Sequence, residues 1–340
     1  MYSVVSGVSF YVPEKIVTNE DLTRVMDTTD TWIQERTGIR ERRIADVNTS
    51  TSDLGTLAAR KVLEKCGKTP RDLDLLVAAT LSPDYYFPGI GVQMQNALGA
   101  SCIPALDVRG QCSGFAWSIA TADALLRTGN YRCALVVGAE IHSRVIEFSN
   151  RGRNVSVLFG DGAGAMLLER GKENEPPTSH NKVRGVIDSL MGCDGSGAEF
   201  LAVKRPGTAR GFKEFISPEE AEKKAYLPYM EGQQVFRHAV TRMLEAAQTI
   251  LKRNGLKAQD IDLVIPHQAN IRINETVREK LELAPEKVFN TIERYGNTTA
   301  ATLPIGMTEA EERGILKPGA LVLTLAFGSG FTWGANLIRW

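Results

Sequence analysis

The sequence predicts an α/β fold in five layers, α-β-α-β-α, built from two pseudo-symmetric halves. Residues 62–77 (VLEKCGKTPRDLDLLV) and 250–265 (ILKRNGLKAQDIDLVI) repeat a helix end, a glycine stop and a buried strand. Residues 112–137 and 297–323 repeat a turn, a helix of small residues, a glycine and an apolar strand. Any two βαβ units share this outline, but matched spacing in two places favours duplication. Uninterrupted apolar runs predict strands that helices cover on both faces.

The predicted halves span residues 1–172 and 182–340, and a polar segment with two adjacent prolines, Gly171–Asn181, joins them. Residues 194–231, called the inserted segment below, are rich in charge, and we expect them to lie over one face of the second half. Pro318–Ile338 is uncharged and long enough to span a membrane, but its four glycines predict two buried strands joined by a turn.

Composition excludes several classes of protein. The 340 residues are 43% apolar and 24% charged, as expected of a folded globular chain. Lys+Arg and Asp+Glu both total 40, so no overall basic field attracts nucleic acid. The first residues show no signal-peptide pattern, and we expect a cytoplasmic protein with reduced thiols and no membrane association.

The patterns of known cofactor sites are missing from the sequence. The cysteines form no Cys-x-x-Cys pair and the histidines do not cluster with them, so we expect neither disulfides nor a metal site. The glycine-rich run at residues 159–165, FGDGAGA, precedes a strand-like sequence, which predicts a tight turn rather than a phosphate-binding loop. We expect structural roles for four cysteines, Cys66, Cys102, Cys133 and Cys193.

Cys112 is the candidate nucleophile. It lies between Gly110 and Gly114, just before a predicted helix that continues to about Arg127. The N-terminus of a helix favours negative charge, so we expect the pKa of this thiol to be lowered. A buried and inert cysteine is the alternative interpretation.

His267 and Asn297 are the candidate partners of Cys112. His267 follows a buried strand in IDLVIPHQAN, and open α/β sheets place ligands at that end of their strands. Under the repeat, Asn297 would correspond to Cys112, and His267 would correspond to Ala79, so the three candidates would converge between the halves. A structural histidine and an asparagine helix cap are the alternatives. A Cys-His-Asn set is typical of covalent acyl chemistry.

Six motifs in this order resemble the β-ketoacyl-acyl-carrier-protein synthase III family of thiolase-fold condensing enzymes. They are DTWIQERTGIR at 30–40, the Cys112 turn, FGDGAGA, PHQANIRI, GNTTAAT and FGSGFTWGA. The resemblance implies a thiolase-like fold and a ping-pong reaction that starts fatty acid synthesis. Cys112 would take an acyl group from acyl-CoA, and malonyl-acyl-carrier-protein would then lose carbon dioxide and condense with it. No cofactor is implied.

The resemblance also implies roles for individual residues. His267 and Asn297 would donate hydrogen bonds to the enolate oxygen, and the backbone N–H groups of Cys112 and Ser329 would form the oxyanion hole. Phe87 would close the acyl pocket of the partner subunit in a homodimer. The implied coenzyme A and pantetheine contacts are Trp32, Arg36, Arg151, Phe236 and Asn270. The implied acyl-carrier-protein contacts are Arg237, Gln268, Ala269, Asn270, Ile271 and Arg272.

Three other functions are compatible with these residues. The first is a synthase-III-like acyltransferase or condensing enzyme of secondary metabolism with a different acyl donor or acceptor. The second is a Cys-His-Asn hydrolase or amidase. The third is a non-catalytic module that binds acyl-CoA.

Overall fold

The computed structural model describes residues 1–171 and 176–340. Its strands are β1 (Ser3–Tyr11), β2 (Ile16–Thr18), β3 (Glu41–Arg43), β4 (Leu75–Ala79), β5 (Ala105–Val108), β6 (Cys133–Glu140), β7 (Gly162–Arg170), β8 (Gly185–Cys193), β9 (Leu201–Ala202), β10 (Tyr229–Met230), β11 (Leu263–Pro266), β12 (Leu321–Gly328) and β13 (Thr332–Arg339). Its α-helices are α1 (Asn19–Thr23), α2 (Asp30–Thr37), α3 (Thr51–Lys65), α4 (Ile90–Leu98), α5 (Gly114–Arg127), α6 (Arg153–Ser156), α7 (Pro218–Glu222), α8 (Gly232–Arg253), α9 (Ile271–Lys280), α10 (Ile292–Tyr295) and α11 (Thr302–Glu312).

Two mixed sheets carry the duplication. The first has the order β1-β7-β6-β4-β5, with β4 parallel to β5 and β6, and β7 antiparallel to β1 and β6. The second has the order β8-β13-β12-β11, with the same directions between neighbours. Val288 forms a parallel bridge with Val264 of β11, at the place that β5 occupies beside β4. The two sheets therefore share one topology.

Helices cover both sheets and fill the space between them. Outside the first sheet, α3 and α4 bury residues such as Val62 against Leu76. Between the sheets, α5 and α11 form the central core, which includes Phe115. Outside the second sheet, α8 and α9 bury residues such as Ile250 against Leu323. The prediction of five layers is confirmed.

The repeat extends to single hydrogen bonds. After α3 and α8, Gly67 and Gly255 both adopt left-handed backbone, with φ of 63° and 65°. Before the following strands, the carboxylate of Asp74 accepts a hydrogen bond from the N–H of Cys133, and that of Asp262 accepts one from the N–H that begins β12. The shared glycine and aspartate of the sequence repeat thus hold matching helix-to-strand connections.

The predicted equivalence of Cys112 and Asn297 is wrong by three residues. The turns before α5 and α11 each begin with a left-handed residue, Gln111 with φ of 51° and Thr299 with φ of 50°. These turns align Cys112 with Ala300. The sequence misled because α11 ends three residues earlier than α5 relative to its start, which shifts the glycine that follows it.

The starts of the helices show which ones are capped by side chains. α3 begins with a capping box, in which Ser50 accepts from the N–H of Asp53 and the Asp53 carboxylate accepts from the N–H of Ser50. α5 has no side-chain cap, and the hydroxyl of Ser113 instead donates to the carbonyl of Gly110. No side-chain cap therefore occupies the backbone N–H groups at the start of α5, which directly follows the turn that carries Cys112.

The inserted segment folds on itself around one arginine. The guanidinium of Arg205 is buried and donates to the carbonyl oxygens of Gly207 and Glu214 and to the carboxylate of Glu220. Strands β9 and β10 pair within the segment. The ring of Phe215 packs edge-on against Tyr86 of the first half, with centroids 5.0 Å apart.

The uncharged stretch near the C-terminus forms β12 and β13 with a turn between them, as predicted. Among the described residues, no helix has the length and apolar character needed to cross a membrane. The boundaries predicted for the halves, 1–172 and 182–340, stay a prediction. Of the predicted connection, residues 172–175 lie outside the described residues.

We predict that Gly138→Ala destabilises the fold. The backbone of Gly138 in β6 lies against the turn before α11, and an added Cβ would lie 2.5 Å from the carbonyl oxygen of Ala300. Overpacking of this kind lowers the free energy of unfolding by about 1–3 kcal/mol. Urea denaturation measures the change. Gly195→Ala is the control, because no atom lies within 4 Å of its added Cβ, and equal stability of the two variants would contradict the prediction.

Candidate active site

A cavity of about 700 Å³ brings the three candidate residues together. Cys112, His267 and Asn297 all line it, as the sequence predicted. The cavity is open to the surface. Leu201 and Met230 from the paired strands of the inserted segment also line it. The sequence indicated only that this segment covers a face of the second half, and its part in the cavity wall depends on a contact that no local pattern reveals.

Cys112 lies in the turn directly before α5, a helix of the central layer. It is buried, and its turn passes so close to β12 that a Cβ on Gly328 would lie 2.7 Å from the Cys112 nitrogen. Burial raises the pKa of the Cys112 thiol to about 12, the Glu140 carboxylate adds to this rise, and hydrogen bonds from the backbone N–H groups of Cys112 and Ser329 oppose it. The predicted lowering of this pKa is therefore wrong, because desolvation outweighs the start of the helix.

His267 is held by both its backbone and its ring. Its N–H donates to the carbonyl of Leu325, 2.7 Å away, directly after β11. Its Nδ1 lies 2.7 Å from the hydroxyl oxygen of Thr302. Burial lowers the pKa of His267 to about 3, so the ring is neutral near pH 7. Its Nε2 is buried and has no hydrogen-bond partner among the described residues.

Asn297 is fixed with its amide nitrogen available to the cavity. Its N–H donates to the carbonyl of Leu158 at 2.8 Å, and its carbonyl accepts from the N–H of Gly160 at 3.1 Å. Its side-chain oxygen accepts from the N–H of Thr299 at 2.8 Å. Because this donor occupies the oxygen, the NH₂ group is the part of the amide that remains for a ligand.

Two further buried titratable residues lie beside the site. Glu140 ends β6 and accepts hydrogen bonds from the hydroxyl of Ser82 and the N–H of Leu81, while burial raises its pKa to about 7. Burial lowers the pKa of His142 to about 3, and its Nε2 contacts the hydroxyl of Thr299. Neither residue was predicted from the sequence. Their position at the end of a buried strand was the available signal, similar to the one that pointed to His267.

For two of the four other cysteines, the exposure of the side chain does not fit the predicted structural role. Cys102 and Cys193 are exposed, Cys66 is half-buried, and Cys133 is buried within β6. Only Cys112 lines the main cavity among the cysteines of the described chain.

Two arginines pack over the ring of Trp32, which lines the cavity. Trp32 and Arg36 line it, and the Arg36 guanidinium lies 4.8 Å from the centre of the indole ring. Arg153 lies over the same indole at 5.1 Å. Arg151 does not line the cavity and instead pairs with the carboxylate of Glu147 at 2.7 Å. The coenzyme A contact of Arg151 stays a prediction, and Arg153, two residues later in NRGRN, is the arginine that lies beside Trp32.

Phe236 and Asn270 also line the cavity, and their contacts with the pantetheine arm stay a prediction. Asn270 is the N-cap of α9, where its side-chain oxygen accepts from the N–H of Arg272 and its NH₂ donates to the carbonyl of Arg36. The guanidinium of Arg272 lies 5.8 Å from the centre of the Phe236 ring.

The residues predicted to dock a carrier protein differ in their exposure. Arg237 and Arg272 are exposed near the opening of the cavity, and Arg237 donates to Gln234. Ala269 and Ile271 are half-buried. Gln268 is only 1% exposed, so its predicted place in a docking surface is wrong. Its side-chain oxygen accepts two backbone N–H groups at the start of α10, and this pairing turns the side chain inward.

Phe87 does not line the cavity of its own chain. It is 80% exposed, and its ring packs edge-on against Tyr86 with centroids 6.2 Å apart. The nearby strand β5 is the edge of the first sheet, and its Leu106 is 39% exposed. An apolar surface beside an open strand edge is typical of a protein interface.

Two family models match the chain. Residues 106–195 match 3-oxoacyl-[acyl-carrier-protein (ACP)] synthase III. Residues 251–340 match its C-terminal model. The chain is 43% identical over 334 residues to the β-ketoacyl-[acyl-carrier-protein] synthase III of Caldanaerobacter subterraneus subsp. tengcongensis, covering 98% of this chain and 96% of the relative. It is 42% identical over 336 residues to that of Solibacter usitatus, covering 99% and 98%.

Solved structures agree with these relatives. The crystal structure of 3-oxoacyl-[acyl-carrier-protein] synthase III from Aquifex aeolicus has a TM-score of 0.87 and 37% identity, with 99% of this chain and 100% of that chain covered. The priming β-ketosynthase from the R1128 polyketide biosynthetic pathway has a TM-score of 0.87 and 30% identity, with 99% and 96% covered. By sequence and by fold, the chain belongs to the β-ketoacyl-acyl-carrier-protein synthase III family of thiolase-fold condensing enzymes.

Proposed function

We propose that this acyltransferase starts type II fatty acid synthesis. It joins an acyl-CoA primer to malonyl-acyl-carrier-protein and gives 3-oxoacyl-acyl-carrier-protein, carbon dioxide and coenzyme A. The observation that carries the proposal is the meeting of Cys112, the His267 ring and the Asn297 amide in one cavity. An equivalent enzyme of secondary metabolism is not favoured, because the relatives above 40% identity carry the synthase III name, whereas the polyketide priming enzyme is 30% identical.

In the first half-reaction, the Cys112 sulfur attacks the thioester carbon of acyl-CoA. A carbon–sulfur bond to Cys112 forms, the bond to the coenzyme A sulfur breaks, and the thiol proton leaves with coenzyme A. The N–H groups of Cys112 and Ser329 face the sulfur, so a thioester oxygen beside it would meet two donors. Such an oxyanion hole stabilises the tetrahedral intermediate.

In the second half-reaction, the malonyl thioester loses carbon dioxide and its enolate attacks the acyl group on Cys112. Negative charge develops on the malonyl thioester oxygen, where His267 and Asn297 would each donate a hydrogen bond. A neutral histidine suits this role, because its charge does not change while it binds the enolate. One donor of this kind is worth about 3–4 kcal/mol. The Cys112 thiolate that leaves then takes a proton from water.

The outer part of the cavity would hold coenzyme A and the carrier protein. We propose that Trp32 stacks on the adenine with Arg153 beside it, and that Arg36 meets phosphate oxygens. Phe236 and Asn270 would contact the pantetheine arm. Arg272 and Arg237 would attract the acidic carrier protein, which a chain of zero net charge must do through a local basic patch.

We further propose a cytoplasmic homodimer that needs no cofactor. The open edge of β5 and the exposed Phe87 support the dimer, in which Phe87 would close the acyl pocket of the partner subunit. The two half-reactions described above need only groups of the chain and its substrates. In the cytoplasm all cysteines would remain thiols, as the nucleophile requires.

We predict that Cys112→Ala abolishes condensation, because no other group can hold the acyl chain. Intact-protein mass spectrometry after incubation with a panel of acyl-CoAs should show one added acyl group on the wild type and none on the variant. Cys102→Ala removes an exposed thiol and is the control, with acylation unchanged. An acyl adduct that persists in Cys112→Ala would refute the covalent role.

We predict that His267→Ala and Asn297→Ala mainly impair decarboxylation. Each loses a donor to the enolate, so release of carbon dioxide from malonyl-acyl-carrier-protein should fall about 100-fold or more. Acylation of Cys112 should persist at least partly, and mass spectrometry measures it separately. Unimpaired carbon dioxide release in both variants contradicts the proposed division of labour.

We predict that Arg272→Glu strongly raises the KM for malonyl-acyl-carrier-protein and that Arg237→Glu raises it less. Charges at the rim act mostly on the rate of encounter, so both effects should shrink as ionic strength rises. Lys252→Glu makes the same charge change in the last turn of α8, the helix that carries Arg237 in its first turns, and should leave KM unchanged. If both arginine variants show wild-type kinetics at low salt, the docking surface lies elsewhere and the prediction is wrong.

A further inference from the structure

The ring of His267 meets one polar side chain of the described structure. Thr302, at the start of α11, is 1% exposed, and its hydroxyl oxygen lies 2.7 Å from Nδ1. Because burial keeps the imidazole neutral, the ring carries a single proton, on either Nδ1 or Nε2. The partner of Nδ1 therefore decides whether Nε2 faces the cavity as a donor or as an acceptor.

The Thr302 hydroxyl has one proton and two acceptors within reach. One is the carbonyl oxygen of Thr299, 2.9 Å away, and the other is Nδ1 of His267, which accepts only when the ring proton is on Nε2. That carbonyl already accepts the backbone N–H of Thr302. The hydroxyl proton is thus free to pair with the imidazole without leaving the carbonyl unsatisfied.

Asn297, the other proposed donor of the site, is also oriented by a hydrogen bond to its acceptor atom. The N–H of Thr299 occupies the side-chain oxygen of Asn297, which leaves the NH₂ group for a ligand. Thr299 adopts φ of 50°, a strained conformation for a β-branched residue, and its hydroxyl contacts His142. One turn, from Thr299 to Thr302, thus contacts the acceptor atom of Asn297 and the Nδ1 atom of His267.

We propose that Thr302 positions His267 and fixes its tautomer: the Thr302 hydroxyl donates to Nδ1, and Nε2–H faces the cavity. This inference rests on the proposed role of His267 toward the enolate. With the opposite tautomer, Nδ1–H would donate to Thr302, and a bare Nε2 lone pair would face the thioester oxygen, which is itself an acceptor. That arrangement repels the developing negative charge instead of stabilising it.

The test compares three threonine variants. Thr302→Val keeps the side-chain volume and removes the hydroxyl, so carbon dioxide release from malonyl-acyl-carrier-protein should fall about 10- to 100-fold. The fall should appear in kcat rather than KM, while acylation from acyl-CoA stays near wild type. Thr302→Ser restores the hydroxyl and should recover most of the rate. Thr308→Val removes a buried hydroxyl that donates to the Pro304 carbonyl of the same helix, and it should leave the rate unchanged.

A spectroscopic measurement reads the tautomer directly. In the full-length enzyme labelled with ¹⁵N-histidine, the ring nitrogen signals of His267 are identified by their loss in His267→Gln. They should report a protonated Nε2 in the wild type and in Thr302→Ser, and the other tautomer or a mixture in Thr302→Val. A protonated Nδ1 in the wild type overturns the inference.

The outcomes separate this inference from the proposed function. If His267→Ala releases carbon dioxide at the wild-type rate, the proposed role of His267 fails. If His267→Ala is impaired but Thr302→Val is not, only the role of Thr302 fails. Thermal unfolding of each variant shows whether the valine substitutions leave the fold intact. If Thr302→Val does not fold, the tautomer of His267 in the wild-type enzyme decides whether the inference holds.

Discussion

The active site depends on the close packing of two matching turns where the halves meet. The turn that carries Cys112 touches the turn that begins at Thr299. Each turn also packs against a strand of the other half at a glycine. A side chain on Gly328 of β12 would collide with Cys112, and one on Gly138 of β6 would collide with Ala300. Each turn therefore lies at a distance from its strand that only glycine allows. This packing, rather than any single hydrogen bond, sets where the sulfur stands relative to the two donors.

Burial produced by that packing governs the chemistry of each group. It raises the pKa of Cys112 to about 12 and lowers that of His267 to about 3, so both side chains are neutral before substrate arrives. Hydrogen bonds also become stronger where water is excluded, because the effective dielectric constant is low. Under the proposed mechanism, the cavity would hold uncharged donors in fixed directions, and they would interact strongly only with a substrate oxygen that gains charge. This arrangement would favour the transition state over the bound substrate.

Local patterns in the sequence predicted most of the fold and the three central residues. The glycine stops at Gly67 and Gly255 and the apolar strands follow from rules that act over a few residues. Other features depend on contacts between distant segments, which explains the errors. The residues next to Gln268 in the sequence predict that it lies at the surface. Its side chain is buried because it accepts hydrogen bonds from backbone N–H groups more than 20 residues away. The pKa of Cys112 differs from the prediction for a related reason, since β12, which packs against its turn, belongs to the second half of the chain.

An ion pair holds Arg151 beside Glu147. The carboxylate of Glu147 accepts from Arg151 and from Lys224 of the inserted segment, each at 2.7 Å. These hydrogen bonds hold the pKa of Glu147 at about 2, so it remains charged throughout the neutral range. Arg151 is thereby directed toward the inserted segment, and Arg153, two residues later, lies over Trp32. The inserted segment thus supplies part of the cavity wall, through Leu201 and Met230, and one of the two cations that pair with Glu147.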